Sequence, residues 1–175
     1  STFTCQVNLF LPESIDLVKS EESSKVIGLE PGQPTYRILV AEDVPENQQL
    51  MITLLASIGF EVETAQNGAE AIVQWQNWQP HLIFMDIEMP LMDGYEATRQ
   101  IRAREAQNQQ QPTPIIALTA YAFADDRTAS LEAGCNDHIA KPFTETNLFE
   151  TIDRSLGVRY CYAEKGRQGT TCNQQ

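Results

Sequence analysis

The chain has 175 residues, enough for one full domain with flanking segments but hardly for two large ones. Its 42% hydrophobic content is sufficient for a packed core, and a formal net charge of −12 argues against nucleic-acid binding, because phosphates attract basic surfaces. No signal-peptide pattern and no apolar run of spanning length is present, and the cysteines Cys5, Cys135, Cys161 and Cys172 form no CxxC pair. These features read as reduced thiols in a cytoplasmic protein with no direct membrane contact, not as a zinc or redox site.

From Ser1 to Leu11, Phe3, Cys5, Val7 and Leu9 alternate with polar residues, the period of a half-buried strand, and Pro12 ends it. A lone strand needs a sheet partner. The chain also begins with Ser, not Met, so it reads as processed or as part of something longer. Residues 13–36 are polar and acidic, broken by Ser23, Ser24, Pro31, Gly32 and Pro34, and read as a linker.

A regular alternation follows over residues 37–157. Arg37–Ala41 predicts a short strand. Asn47–Ile58 predicts a helix with Leu50, Met51, Leu54, Leu55 and Ile58 at helical spacing, Pro45 near its first turn and Gly59 at its stop. Glu61–Ala65 reads as a strand and Gly68–Asn77 as a helix with Ile72 and Val73 inward. His81–Asp86 is nearly continuous apolar sequence, expected of a strand buried on both faces. Tyr95–Arg104 is helical, Gln107–Pro112 a glutamine-rich loop and Ile115–Thr119 a fourth strand. Asp125–Ala133 is a helix, Asp137–Ala140 a fifth strand and Glu145–Leu156 a last helix with Thr144 as N-cap. Residues 158–175 read as a tail.

Five strands alternating with five helices predict an α/β fold, a flavodoxin-like doubly wound five-stranded parallel sheet of order 2-1-3-4-5, preceded by an N-terminal strand and linker. In that order the switch point lies between strands 1 and 3, and ligands bind at the carboxyl ends there. Glu42 and Asp43 follow strand 1, Asp86 closes strand 3, and Lys141 follows strand 5. Three carboxylates converging on one edge repel one another and call for a cation, while a lysine opposite them can hold an anionic group. That is the chemistry of metal-assisted phosphoryl transfer onto a carboxylate.

Five stretches carry a resemblance: Ile38-Leu39-Val40-Ala41-Glu42-Asp43, Ile83 through Pro90, Met92-Asp93-Gly94, Ile116-Ala117-Leu118-Thr119-Ala120 and Lys141-Pro142-Phe143. In this order they resemble the receiver domain of response regulators in two-component phosphorelays, over roughly Tyr36 to Leu156. The resemblance implies Asp86 as phosphoacceptor and Mg²⁺ bound by Glu42, Asp43, Asp86 and the main-chain carbonyl of Glu88. It implies Lys141 paired with the acceptor or its phosphoryl group, Thr119 hydrogen-bonded to the phosphoryl oxygen, and a cis Lys141–Pro142 peptide. The implied partner is the phosphohistidine domain of a histidine kinase or phosphotransfer protein.

His138 stands where the family carries a switch aromatic, so its polarity puts the strength of the switch in question. Glu88 and Tyr121 flank the site at positions that, by the resemblance, tune acyl-phosphate lifetime. Residues 1–12 look like the final strand of a histidine kinase ATP-binding domain, and Gly157-Val158-Arg159-Tyr160 looks like the end of receivers in cyanobacterial hybrid sensor kinases. The kinase's own glycine and histidine boxes are absent from this span. A stand-alone single-domain regulator, an aspartyl-nucleophile Mg²⁺-dependent phosphatase and an interaction domain with a dead site are the alternatives.

Overall fold

The computed structural model describes residues 25–120 and 124–163. In chain order the strands are β1 (Val26–Leu29), β2 (Arg37–Ala41), β3 (Glu61–Ala65), β4 (Leu82–Asp86), β5 (Ile115–Thr119), β6 (Asp137–Ala140) and β7 (Tyr160–Tyr162). The helices are α1 (Pro45–Ile58), α2 (Gly68–Trp78), α3 (Gly94–Asn108), α4 (Ala124–Ala133) and α5 (Glu145–Leu156). Strands β2 to β6 form one parallel sheet of order β3-β2-β4-β5-β6. With β1 set aside, this is the expected order 2-1-3-4-5.

The period of two in the strands divides the core. Ile38, Val40, Leu82, Phe84, Ile116 and Leu118 pack with Met51 and Leu55 of α1 and Leu148, Phe149 and Ile152 of α5. Their neighbours Leu39, Ala41, Ile83, Met85, Ile115 and Ala117 pack on the other side with Ala71, Ile72 and Trp75 of α2 and Ala97 and Ile101 of α3. Every residue of β4 and β5 is buried, which explains their unbroken apolar runs.

Helix starts follow local chemistry. The Asn67, Asp93 and Thr144 side chains accept the amides of Glu70, Glu96 and Asn147. Helix α1 has no side-chain cap, and Pro45 occupies its first position, where an N–H would lack a partner anyway.

Beyond shifts of one or two residues at element ends, the structure departs from the sequence reading as follows. Val73 faces solvent, because Ala71, Ile72 and Trp75 form the inward stripe of α2. Leu50 is likewise exposed on α1, where Met51, Leu55 and Ile58 point inward. Helix α3 runs on to Asn108, held by the buried Glu105, which accepts bonds from Arg102 and the Thr113 amide. The span 13–36 read as linker contains β1, and the span 158–175 read as tail contains β7; the two pair antiparallel. Val158 and Tyr160 are buried in the α1/α5 core, with Val26 and Leu29 packed against it. The alternating Ser1–Leu11 stretch lies outside the described residues.

Candidate functional site

The parallel register brings the predicted residues to one edge. Ala41 is opposite Met85, Asp86 opposite Leu118 and Thr119 opposite Ala140. Glu42 and Asp43 therefore leave β2 beside the end of β4, while Lys141 leaves β6 beside the end of β5. Glu42 and Asp86 are 1% and 4% exposed, so both carboxylates are largely stripped of water.

Lys141 answers that burial. Its Nζ donates to Asp86 Oδ2 at 2.6 Å and to Glu42 Oε2 at 2.7 Å. The second Glu42 oxygen accepts from the Val44 amide at 3.3 Å and Asn47 Nδ2 at 3.1 Å, and the second Asp86 oxygen from the Glu88 amide at 3.2 Å. Burial raises the Asp86 pKa above the ordinary carboxylate range; the hydrogen bond from Lys141 pulls it down and the nearby Glu42 charge pushes it up. Burial alone would lower the Lys141 pKa, but its bonds to Asp86 and Glu42 outweigh this and raise it.

Asp43 completes the cluster. One carboxylate oxygen from each of Glu42, Asp43 and Asp86 lies within 4.8 Å of the others. Three carboxylates against one ammonium leave the site net negative, and an all-oxygen donor set fits a hard divalent cation. Thr119 is buried at the end of β5, and its carbonyl accepts the Lys141 amide at 2.7 Å, fixing the start of the β6–α5 turn. The Lys141–Pro142 peptide is cis.

Three supports were not legible as site residues. Asn47, in the first turn of α1, holds Glu42. Gln48 Nε2 donates to the carbonyls of Glu42 at 3.3 Å and Ala65 at 3.4 Å, tying the β2 and β3 ends together. Gly94, present in the Met92-Asp93-Gly94 stretch but given no role there, opens α3 and packs directly on the Asp86 main chain.

Elsewhere, His138 is half-buried opposite Ala117, with Nδ1 3.8 Å from Asp137 Oδ1. His81 sits at the opposite end of the sheet, where Nδ1 accepts the Arg37 amide. Trp75 packs inside α2 and donates to Thr113 Oγ1 at 3.0 Å. Tyr121 lies outside the described residues.

The model of the response regulator receiver domain matches residues 38–153. The chain belongs to the response regulator receiver family. The receiver is 38% identical over 122 residues to sensor protein GacS of Pseudomonas syringae pv. syringae, a match covering 70% of this chain and 14% of that protein. It is 38% identical over 143 residues to hybrid signal transduction histidine kinase I of Dictyostelium discoideum, covering 79% of this chain and 8% of that protein. The chain thus spans a small part of these curated relatives.

Solved structures agree. The receiver domain of sensor histidine kinase PA1611 from Pseudomonas aeruginosa PAO1, with a magnesium ion in its active-site cleft, is 40% identical with a TM-score of 0.63; the match covers 71% of this chain and 99% of that one. A chain in the co-crystal of the Saccharomyces cerevisiae phosphotransfer protein Ypd1 with the receiver of Ssk1 is 36% identical, TM-score 0.68, covering 70% and 89%. The receiver reading therefore stands over the phosphatase alternative, whose pattern puts the nucleophile on the first strand, whereas Asp86 ends the third strand of the parallel sheet. No helix among the described residues is long and apolar enough to cross a membrane.

Proposed function

We propose that this chain is the phosphoacceptor module of a cytoplasmic His-Asp phosphorelay, and that Asp86 takes a phosphoryl group from a phosphohistidine on a histidine kinase or phosphotransfer protein. The observation carrying this reading is the Lys141 ammonium shared between Asp86 and Glu42, at the edge where Asp43 also converges. In the transfer, an Asp86 carboxylate oxygen attacks phosphorus, an O–P bond forms, the N–P bond to the donor imidazole breaks and the imidazole leaves with the bonding electrons. Lys141, 2.6 Å from that carboxylate, would pair with charge on the transferred group, and the Thr119 hydroxyl would donate to one of its oxygens.

Glu42, Asp43, Asp86 and the Glu88 carbonyl would hold Mg²⁺, which supplies screening of the repulsion between acceptor and donor oxygens. The donor set present supports this ion, as does the magnesium in the related PA1611 receiver. The kinds of relative support a wider context. GacS is a sensor protein and the Dictyostelium relatives are hybrid histidine kinases, so residues 37–157 would be the receiver of a hybrid sensor kinase. Residues 1–12 would be the last strand of its ATP-binding domain, and the ending Gly157–Tyr160 is the feature favouring a cyanobacterial type. Phosphotransfer from a phosphohistidine donor, with and without Mg²⁺, followed by mapping of the modified residue, tests the reading.

A further inference from the structure

The β1–β7 ribbon lies outside residues 38–153, which match the receiver family. Tyr160 and Tyr162 fall on one face of the ribbon by strand period, and Val26, paired with Tyr162, shares that face. The face turns toward α5, where Thr146, Phe149, Glu150 and Asp153 recur at helical spacing. Between them runs a groove of about 530 Å³.

The groove joins an aromatic floor to an acidic rim. Phe149 and Tyr160 are buried with ring centroids 5.6 Å apart, and Tyr160 donates to the Phe149 carbonyl at 3.1 Å, which fixes its ring. Tyr162 continues the ladder 6.5 Å from Tyr160 and is 54% exposed at the lip. Glu145, Glu150 and Asp153 line the helix side, all exposed, against the single cation Lys25. None of these three carboxylates has an ion-pair partner among the described residues.

We propose that this groove docks a basic, apolar-containing segment of a partner protein. Arginine or lysine side chains meet the exposed carboxylates and the Tyr162 ring, and interleaved apolar side chains cover Val26 and Tyr162 at the lip. A second copy of the chain is disfavoured as occupant, because both copies carry a net charge of −12 and offer the same acidic rim.

The test is fluorescence anisotropy of the full 175-residue chain with a short fluorescein-labelled peptide alternating arginine and leucine. Saturable one-site binding is expected, weakened about tenfold in the double variant Glu150→Gln/Asp153→Asn and also in Tyr162→Ala. The charge-matched double variant Glu63→Gln/Glu132→Gln, on other surfaces, is expected to change affinity less than about twofold. All these positions are exposed, and thermal melts check that the variants fold. Equal loss in the two double variants would show binding to bulk charge and overturn the proposal, as would no binding. A roughly tenfold gain on deleting residues 164–175, which carry Lys165 and Arg167, would also overturn it, by making the chain's own tail the occupant.

Discussion

Gly94 packs against the main chain of Asp86 so closely that a Cβ there would overlap the Asp86 carbonyl oxygen and lie 2.9 Å from Met85 Cγ. Its amide donates to the Ile87 carbonyl at 3.1 Å, so the first turn of α3 is pressed onto the end of β4. The obstacle is main chain and cannot swing aside. Gly94→Ala is therefore expected to destabilise the fold by about 1–3 kcal/mol and to slow labelling at Asp86. Urea unfolding measures the first effect; an unchanged midpoint would mean that α3 can shift away freely.

Lys141 compensates two buried carboxylates. Lys141→Met leaves Glu42 and Asp86 facing each other without a cation, and is expected to cost about 3 kcal/mol in the absence of divalent ions, the low end for breaking a buried pair. Added Mg²⁺ should restore much of that stability if the carboxylates hold the ion. Equilibrium denaturation with EDTA and with Mg²⁺ checks both; a variant as stable as the parent in EDTA would remove this role.

How legible was this site? Its carboxylates, lysine and threonine were readable because each terminates an apolar run, and buried strands of a parallel sheet write themselves as such runs. Their second-line supports were not. Asn47 and Gln48 look like ordinary polar positions at the start of a helix, and their bonds to the β2 and β3 ends exist only once α1 is laid on the sheet. Gly94 stands in a recognisable stretch, but its contact with the Asp86 main chain exists only once α3 is laid on the end of β4. Glu105 lies just past the helix the sequence predicts, yet it is buried on α3, where it accepts bonds from an arginine and a backbone amide.

The same limit applies to the flanks. Strand β1 is four residues long with Gly28 inside it, β7 is three, and their pairing joins positions more than a hundred residues apart. Local pattern cannot announce such a contact. On the helices, Leu50 and Val73 read as inward because each stands beside a residue that is; only packing shows which of two adjacent apolar residues faces the sheet.

Tyr160 tests the ribbon as part of the fold. Its ring is buried and its hydroxyl bonds the Phe149 carbonyl. Burial, then the charges of Asp153 and Tyr162, raise its pKa far above the ordinary tyrosine range. Tyr160→Phe should cost about 1 kcal/mol, one neutral hydrogen bond, while Tyr160→Ala should cost about 3 kcal/mol through the cavity it leaves. Thermal denaturation separates the two; equal and negligible losses would make β7 an ornament on the domain.

His81 predicts a pH dependence at the far end of the sheet. Its Nδ1 accepts the Arg37 amide at 2.9 Å, which only the neutral ring can do, and Tyr36, Arg37 and Glu61 surround it. Burial, then the Arg37 charge, lowers its pKa below 6.5, with Glu61 opposing. The unfolded chain therefore takes up the proton first. The stabilisation is present above about pH 6.5 and is lost as pH falls below it. Urea midpoints at about pH 7.5 and 5.5 should differ less in His81→Gln than in the parent; equal differences would show that the ring does not contribute.

The most direct measurement of the central claim is transfer of labelled phosphoryl from a phosphohistidine donor to the intact chain with Mg²⁺ present, followed by peptide mapping. The expected result is base- and hydroxylamine-labile label on the peptide containing Asp86, abolished by EDTA and absent from Asp86→Asn. Label retained in Asp86→Asn, or mapped to any other residue of the wild-type chain, would contradict it.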